Sequence, residues 1–175
     1  PQFGAAPAVI AGNLQTRGRP LVRRSAPATQ GVSSAELAQL PRLPDTADEV
    51  RGIAVALQAN PETDVFIGPR ASEKQVKGMD LSNRRIVMFA THGLVPGDLN
   101  GLTQPALALS APTSADSDGD GLLTMEEILG LRLNADWVVL SACNTASSDG
   151  AAEEAVSGLG RAFFYAGTRA LLVSN

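Results

Sequence analysis

Two apolar runs constrain this chain more than anything else in it. Arg84–Gly93 reads RRIVMFATHG, and Trp137–Ala142 reads WVVLSA. Each is a short unbroken apolar stretch with polar neighbours, the pattern of a strand buried on both faces. Such strands belong to parallel sheets covered by helices. The first run delivers the only histidine, His92, to its C-terminal end; the second delivers the only cysteine, Cys143, 51 residues later. Sites in open parallel sheets form outside the carboxyl ends of the strands. The one imidazole and the one thiol are therefore expected on the same rim.

The elements around these strands follow from periodicity and capping. Asp45–Ala59 is expected to be a helix, with Thr46 and Glu49 as a capping box and Val50, Ile53, Ala54 and Leu57 on one face. Asp64–Gly68 (DVFIG) reads as a short strand, and Ser72 with Gln75 opens a helix to about Met79. Pro96–Ala111 reads as loop with an apolar piece at Ala106–Leu109. Thr124 and Glu127 form another capping box, starting a helix to about Leu131. Ala151–Ala166 is a helix with Val156, Leu159, Ala162 and Phe163 on its apolar face, stopped by Gly167, and Ala170–Ser174 is the last strand. Pro7–Asn13 (PAVIAGN) supplies a candidate first strand within a loop-rich N-terminal segment, 1–34, and the domain proper is expected over 35–175. The alternation of strand and helix argues an α/β sandwich around a mostly parallel sheet.

Length and charge remove several function classes. At 175 residues the chain is one domain by length. Its 18 acidic residues outnumber 14 basic ones, which gives no electrostatic case for nucleic acid. Arg17, Arg19, Arg23 and Arg24 lie in a stretch without acids and read as a solvated loop, with a docking arm for an acidic partner as the alternative. No apolar run approaches the roughly 20 residues of a membrane span, and no signal peptide is legible. A single cysteine cannot form an internal disulfide, so a cytoplasmic, bacterial-type setting is expected.

The chemistry open to the pair is nucleophilic. A thiol reacts as its thiolate, and a histidine in hydrogen-bond reach favours that form and can return a proton to a leaving amine. Acyl transfer also needs donors where the oxyanion develops. Gly93, directly after His92, lets backbone approach a substrate, and its N–H is a candidate to act with that of Cys143.

FATHG, DGLLTMEEI, ADWVVLSACNT and GLGRAFFYAGTRALLVS, in that order, resemble the CHAT domain, a caspase-like module often found beside tetratricopeptide repeats. The resemblance covers about Leu43–Ser174 and implies a caspase-hemoglobinase-like three-layer α/β sandwich. The caspase-type spacing of about 50 residues from His to Cys agrees with it. It implies a cysteine endopeptidase of protein or peptide substrates, self-processing included, with His92 as base, Cys143 as nucleophile, and the N–H groups of Gly93 and Cys143 as oxyanion hole. Family members continue past the last strand with a segment completing the sheet and cleft. The C-terminal part of the domain is thus expected to lie beyond Asn175, and a repeat domain or C-terminal segment is the expected partner. Relatives that cut after basic residues carry an acid two residues before the cysteine, where this chain has Ser141. Asp149 and Asp98 are the candidate substitutes in the substrate pocket. The alternative reading is an inactive pseudo-protease serving as a protein-interaction scaffold.

One motif stands apart. Asp116, Asp118, Asp120, Gly121 and Glu127 fit D-x-D-x-D-G-x5-E, with the carbonyl of Leu122 as a further ligand. Calcium takes six to eight such oxygens. Against this, Glu127 is also the capping partner of Thr124, and Pro112 and Thr113 interrupt any preceding helix. No cofactor is required by the dyad chemistry; calcium is the one the residues admit, and a solvated acidic loop is the competing reading.

Overall fold

The computed structural model describes residues 34–112, 119–141 and 151–174. Within them the fold is mixed α/β, with one parallel and one antiparallel three-stranded sheet. The parallel sheet has the order β1 (Ile86–Ala90), β5 (Trp137–Ser141), β6 (Ala170–Ser174). The antiparallel sheet joins β2 (Gly93–Leu94), β3 (Ala106–Ala108) and β4 (Leu122–Thr124). The helical segments are α1 (Ser34–Leu37), α2 (Pro44–Ala56), α3 (Pro61–Asp64), α4 (Glu73–Gly78), α5 (Met125–Gly130) and α6 (Ala151–Ala166). None is long and apolar enough to cross a membrane.

Both apolar runs form the expected strands, side by side and parallel. Asp136 pins their starts: its carboxylate accepts from Arg85 on one side and Arg169 on the other. The Arg85 hydrogen bond, with help from Arg169, holds the Asp136 carboxyl below its usual range. One sheet face is dry. Phe89, Val138 and Leu140 pack with Leu159, Ala162 and Phe163 of α6 and Ile128 of α5. The Phe89 and Phe163 rings lie 5.6 Å apart, tilted by 38°. The other face is less buried than an unbroken apolar run suggests: Ile86, Trp137 and Leu172 are exposed. Gly167 ends α6 as expected. Its φ of +114° turns the chain, and an added Cβ would strike the Leu133 carbonyl.

Four expectations need correction. The DVFIG strand does not form. Pro61 opens the short helical turn α3, Asn60 caps it by accepting from the Glu62 N–H, and 65–67 pair with no strand among the described residues. The loop at Pro96–Ala111 contains β3, and Leu122–Thr124, for which no strand is expected, forms β4. Those small strands pair through a second sheet, which alternation alone does not announce. Gly93 likewise belongs to that second sheet and not to the histidine strand. Finally, Thr46 and Glu49 make no capping box. Pro44 sits in the first turn of α2, and the Thr46 hydroxyl donates to the Leu43 carbonyl at 2.7 Å. Pro7–Asn13 lies outside the described residues.

α2 also ends three residues early. The Ala59 N–H reaches the Ala54 carbonyl and the Gln58 N–H the Val55 carbonyl, the double bond pattern of a Schellman stop. Gln58 holds the left-handed position with φ +55°, where glycine is the usual residue. Gln58→Gly should therefore stabilise the fold by about 0.5–1 kcal/mol. Urea unfolding checks this: a higher midpoint at unchanged slope is expected, whereas a lower one means the Gln58 side chain itself holds the turn.

Candidate functional site

His92 stands two residues past the end of β1, where the two sheets meet. The Thr91 N–H donates to the Ser141 carbonyl at 3.2 Å, extending the β1–β5 pairing. The Thr91 hydroxyl donates to the Ala108 carbonyl, and the Ala108 N–H donates to the His92 carbonyl at 2.9 Å. The backbone on both sides of the imidazole is thus fixed by different sheets. The ring is half-buried, and its Nε2 lies 2.7 Å from the Pro41 carbonyl oxygen. A carbonyl only accepts, so Nε2 carries the proton and Nδ1 of the neutral ring keeps its lone pair. A cavity of about 1340 Å³ lies alongside, between α2 and β1, with Pro41, Val50, Ile53, Phe89 and His92 among its lining residues.

Gly93 faces Leu107 across the antiparallel pair. The neighbouring pair, His92 with Ala108, is the hydrogen-bonded one, and such pairs alternate. The Gly93 N–H therefore points away from β3. Ser141 closes β5 as the register partner of Ala90. Its hydroxyl donates to the Glu49 carboxylate, at 3.0 Å to one oxygen and 3.2 Å to the other. Asp98 accepts from the Val95 N–H at 2.8 Å. Cys143 and Asp149 lie outside the described residues.

The structure thus gathers His92, Ser141, Pro41 and Glu49 at the carboxyl edge of β1 and β5. Sequence reasoning missed the last two. Pro41 acts through a backbone carbonyl, which no residue type advertises. Glu49 was absorbed into a capping pattern, and nothing local in the sequence indicates that its carboxylate crosses to β5.

The acidic motif sits elsewhere, between β4, α5 and α4. Thr124 and Glu127 form the expected capping box, with Glu127 accepting from the Thr124 N–H and hydroxyl at 2.9 and 2.8 Å. Asp120 accepts from the Leu122 N–H at 2.9 Å. Asp116 and Asp118 lie outside the described residues, within which no group of three or more His, Cys, Asp or Glu is placed to hold a metal. What binds Glu127 and the buried Glu73 together is the Lys77 ammonium, 2.9 Å from each. Glu73 also accepts from the Gly121 N–H at 3.0 Å, anchoring the loop. Burial pushes the Glu73 carboxyl up. Burial acts the same way on Glu127, but the Lys77 and Thr124 hydrogen bonds outweigh it and its carboxyl falls. Lys77 is raised, chiefly by its hydrogen bond to Glu127.

Removing that ammonium leaves two carboxylates facing each other. Lys77 is 44% exposed, so the loss for Lys77→Met should be about 1–3 kcal/mol at neutral pH, less than for a fully buried pair. Without the cation both folded-state carboxyls titrate above their unfolded values, so the variant gains stability as pH falls through them. The parent gains less over that range, because its raised Glu73 still has Lys77 beside it, and its Glu127 contribution is lost only below the ordinary carboxylate value. The gap between the two should narrow from pH 7 toward the ordinary carboxylate range. Urea unfolding at a series of pH values measures it, and a gap that widens on acidification contradicts the arrangement.

No curated protein and no solved structure matches the chain. The CHAT domain model matches residues 5–175, nearly its whole length. On that match, and with the α/β frame that carries His92 and Ser141 to one edge, the chain belongs to the CHAT domain family.

Proposed function

We propose that this chain is a caspase-like cysteine endopeptidase, with Cys143 as nucleophile and His92 as base. The observation that carries the reading is the level pairing of Ala90 with Ser141. His92 follows two residues after the first and Cys143 two residues after the second, and two residues span at most about 7 Å. The Pro41 contact supports it, because it leaves Nδ1 as the nitrogen able to take a proton. Family membership supports the reaction class.

The steps follow from those roles. Nδ1 accepts the Cys143 thiol proton, and the thiolate sulfur attacks the scissile carbonyl carbon. The carbonyl electron pair moves to oxygen, where the N–H groups of Gly93 and Cys143 donate to it. Collapse of this intermediate breaks the C–N bond, and the amine leaves with the proton returned from Nδ1. Water, deprotonated at Nδ1, then attacks the thioester and releases the acid and the thiol. The Pro41 carbonyl stabilises the imidazolium formed in each half, by accepting from Nε2–H.

In the complete chain, Cys143→Ala and His92→Ala should each lower peptide hydrolysis at least about 1000-fold. Labelling by a thiol-reactive peptidyl probe should require Cys143 and fall sharply in His92→Ala. Cleavage that survives Cys143→Ala, or labelling indifferent to His92, removes the dyad and leaves the scaffold reading.

A further inference from the structure

We infer that Glu49 is the specificity-determining acid of this site, selecting lysine or arginine on the N-terminal side of the scissile bond. The inference rests on the peptidase reading. Glu49 reaches Ser141 from α2, 92 positions away in sequence. Ser141 ends β5, and Cys143 follows two residues later in sequence, a span of at most about 7 Å, so on the peptidase reading a carboxylate held at Ser141 is within substrate reach of the nucleophile. The serine hydroxyl has one hydrogen to give, and a carboxylate offers about four acceptor sites. Its negative charge is also unpaired: among the described residues no Lys or Arg lies within ion-pair distance of Glu49. Asp48, one residue away on the same helix, pairs by contrast with Arg51, which leaves Glu49 as the acid facing Ser141 without a cation. Glu49 is exposed, so its remaining acceptor sites are open to an incoming group.

A residue whose carbonyl lies at the nucleophile carries its side chain beside it. A guanidinium matches a carboxylate geometrically and an ammonium matches it as a point charge. An acidic side chain in the same place meets repulsion, so the one group both attracts and excludes. The acid usually sought on the strand itself is supplied here across space, with Ser141 as its anchor.

The test uses the complete chain and peptides differing only at that position: arginine, its neutral isostere citrulline, or glutamate. Glu49→Gln keeps an acceptor for Ser141 and removes the charge. The arginine-to-citrulline ratio of kcat/KM should fall about 10- to 100-fold, the range for a hydrogen bond to a charged group. Glu49→Arg should shift the preference toward the glutamate peptide. Calorimetric binding of the same peptides to the Cys143→Ala protein gives a readout independent of turnover. There, tighter arginine binding that depends on Glu49 upholds the acidic subsite even if no peptide is cut, in which case the peptidase reading alone falls. Hydrolysis with a ratio unmoved by Glu49→Gln overturns the inference and leaves the peptidase standing. No preference for arginine in either readout also overturns it.

Discussion

The site depends on the register between β1 and β5. Parallel strands slide only in whole steps, and a one-residue slip turns every side chain to the opposite face. Here Ile86 pairs with Trp137 at one end and Ala90 with Ser141 at the other. The alternative registers are disfavoured from both ends. Asp136 fastens the starts through Arg85 and Arg169, while Phe89, Val138 and Leu140 bury against Phe163 and Ile128. The carboxyl edge is then free to carry groups that contribute little to stability. In the parallel sheet the Asp136 ion pairs lie at the amino edge, and His92 and Ser141 at the other.

The acidic loop illustrates a competition that sequence patterns do not weigh. The residues of a calcium motif are also residues that cap a helix and accept from an ammonium. In the described part, the Glu127 oxygens accept from Thr124 and Lys77, and Glu73 brings a second carboxylate that the motif does not include. The Lys77 ammonium, 2.9 Å from both carboxylates, offsets one of their two charges. Its function in the fold is to tie α4 to the β4–α5 turn.

Much of this frame was legible from the amino-acid string, because continuous apolar runs and capping boxes are local signals. β1, β5, β6, α6 and the Thr124–Glu127 box all rest on them. The misreadings share a different cause. DVFIG has strand composition but, among the described residues, no neighbour to pair with. Ala106–Ala108 and Leu122–Thr124 are too short to stand out, and become strands only because each supplies the other's partner. Thr46 and Glu49 have the spacing of a cap but begin one turn too late, since Pro44 has already opened the helix. In each case a long-range contact decides what a local pattern leaves open. The same holds at the site: His92 and Cys143 stand out as the only residues of their kinds, whereas the Pro41 carbonyl and the Glu49 carboxylate become visible only in three dimensions.

Those two groups lie on one short segment, and this has a physical consequence. Pro41 and Glu49 bracket the start of α2, and each reaches across to a different strand of the parallel sheet edge. On the proposed chemistry, one stabilises the protonated base and the other receives the substrate's charge. Glu49 sits in the second turn of α2 and Pro41 three residues before its start, so a shift of the helix bears on both contacts. A shift of α2 that frees the imidazole also carries the carboxylate away from Ser141. Base orientation and charge selection are therefore coupled through one helix, in a way that two residues fixed on separate strands would not be. The half-buried face of α2 and the cavity beneath it mean that this helix is held less by packing than α6 is, so its two polar contacts have a larger share in fixing its position.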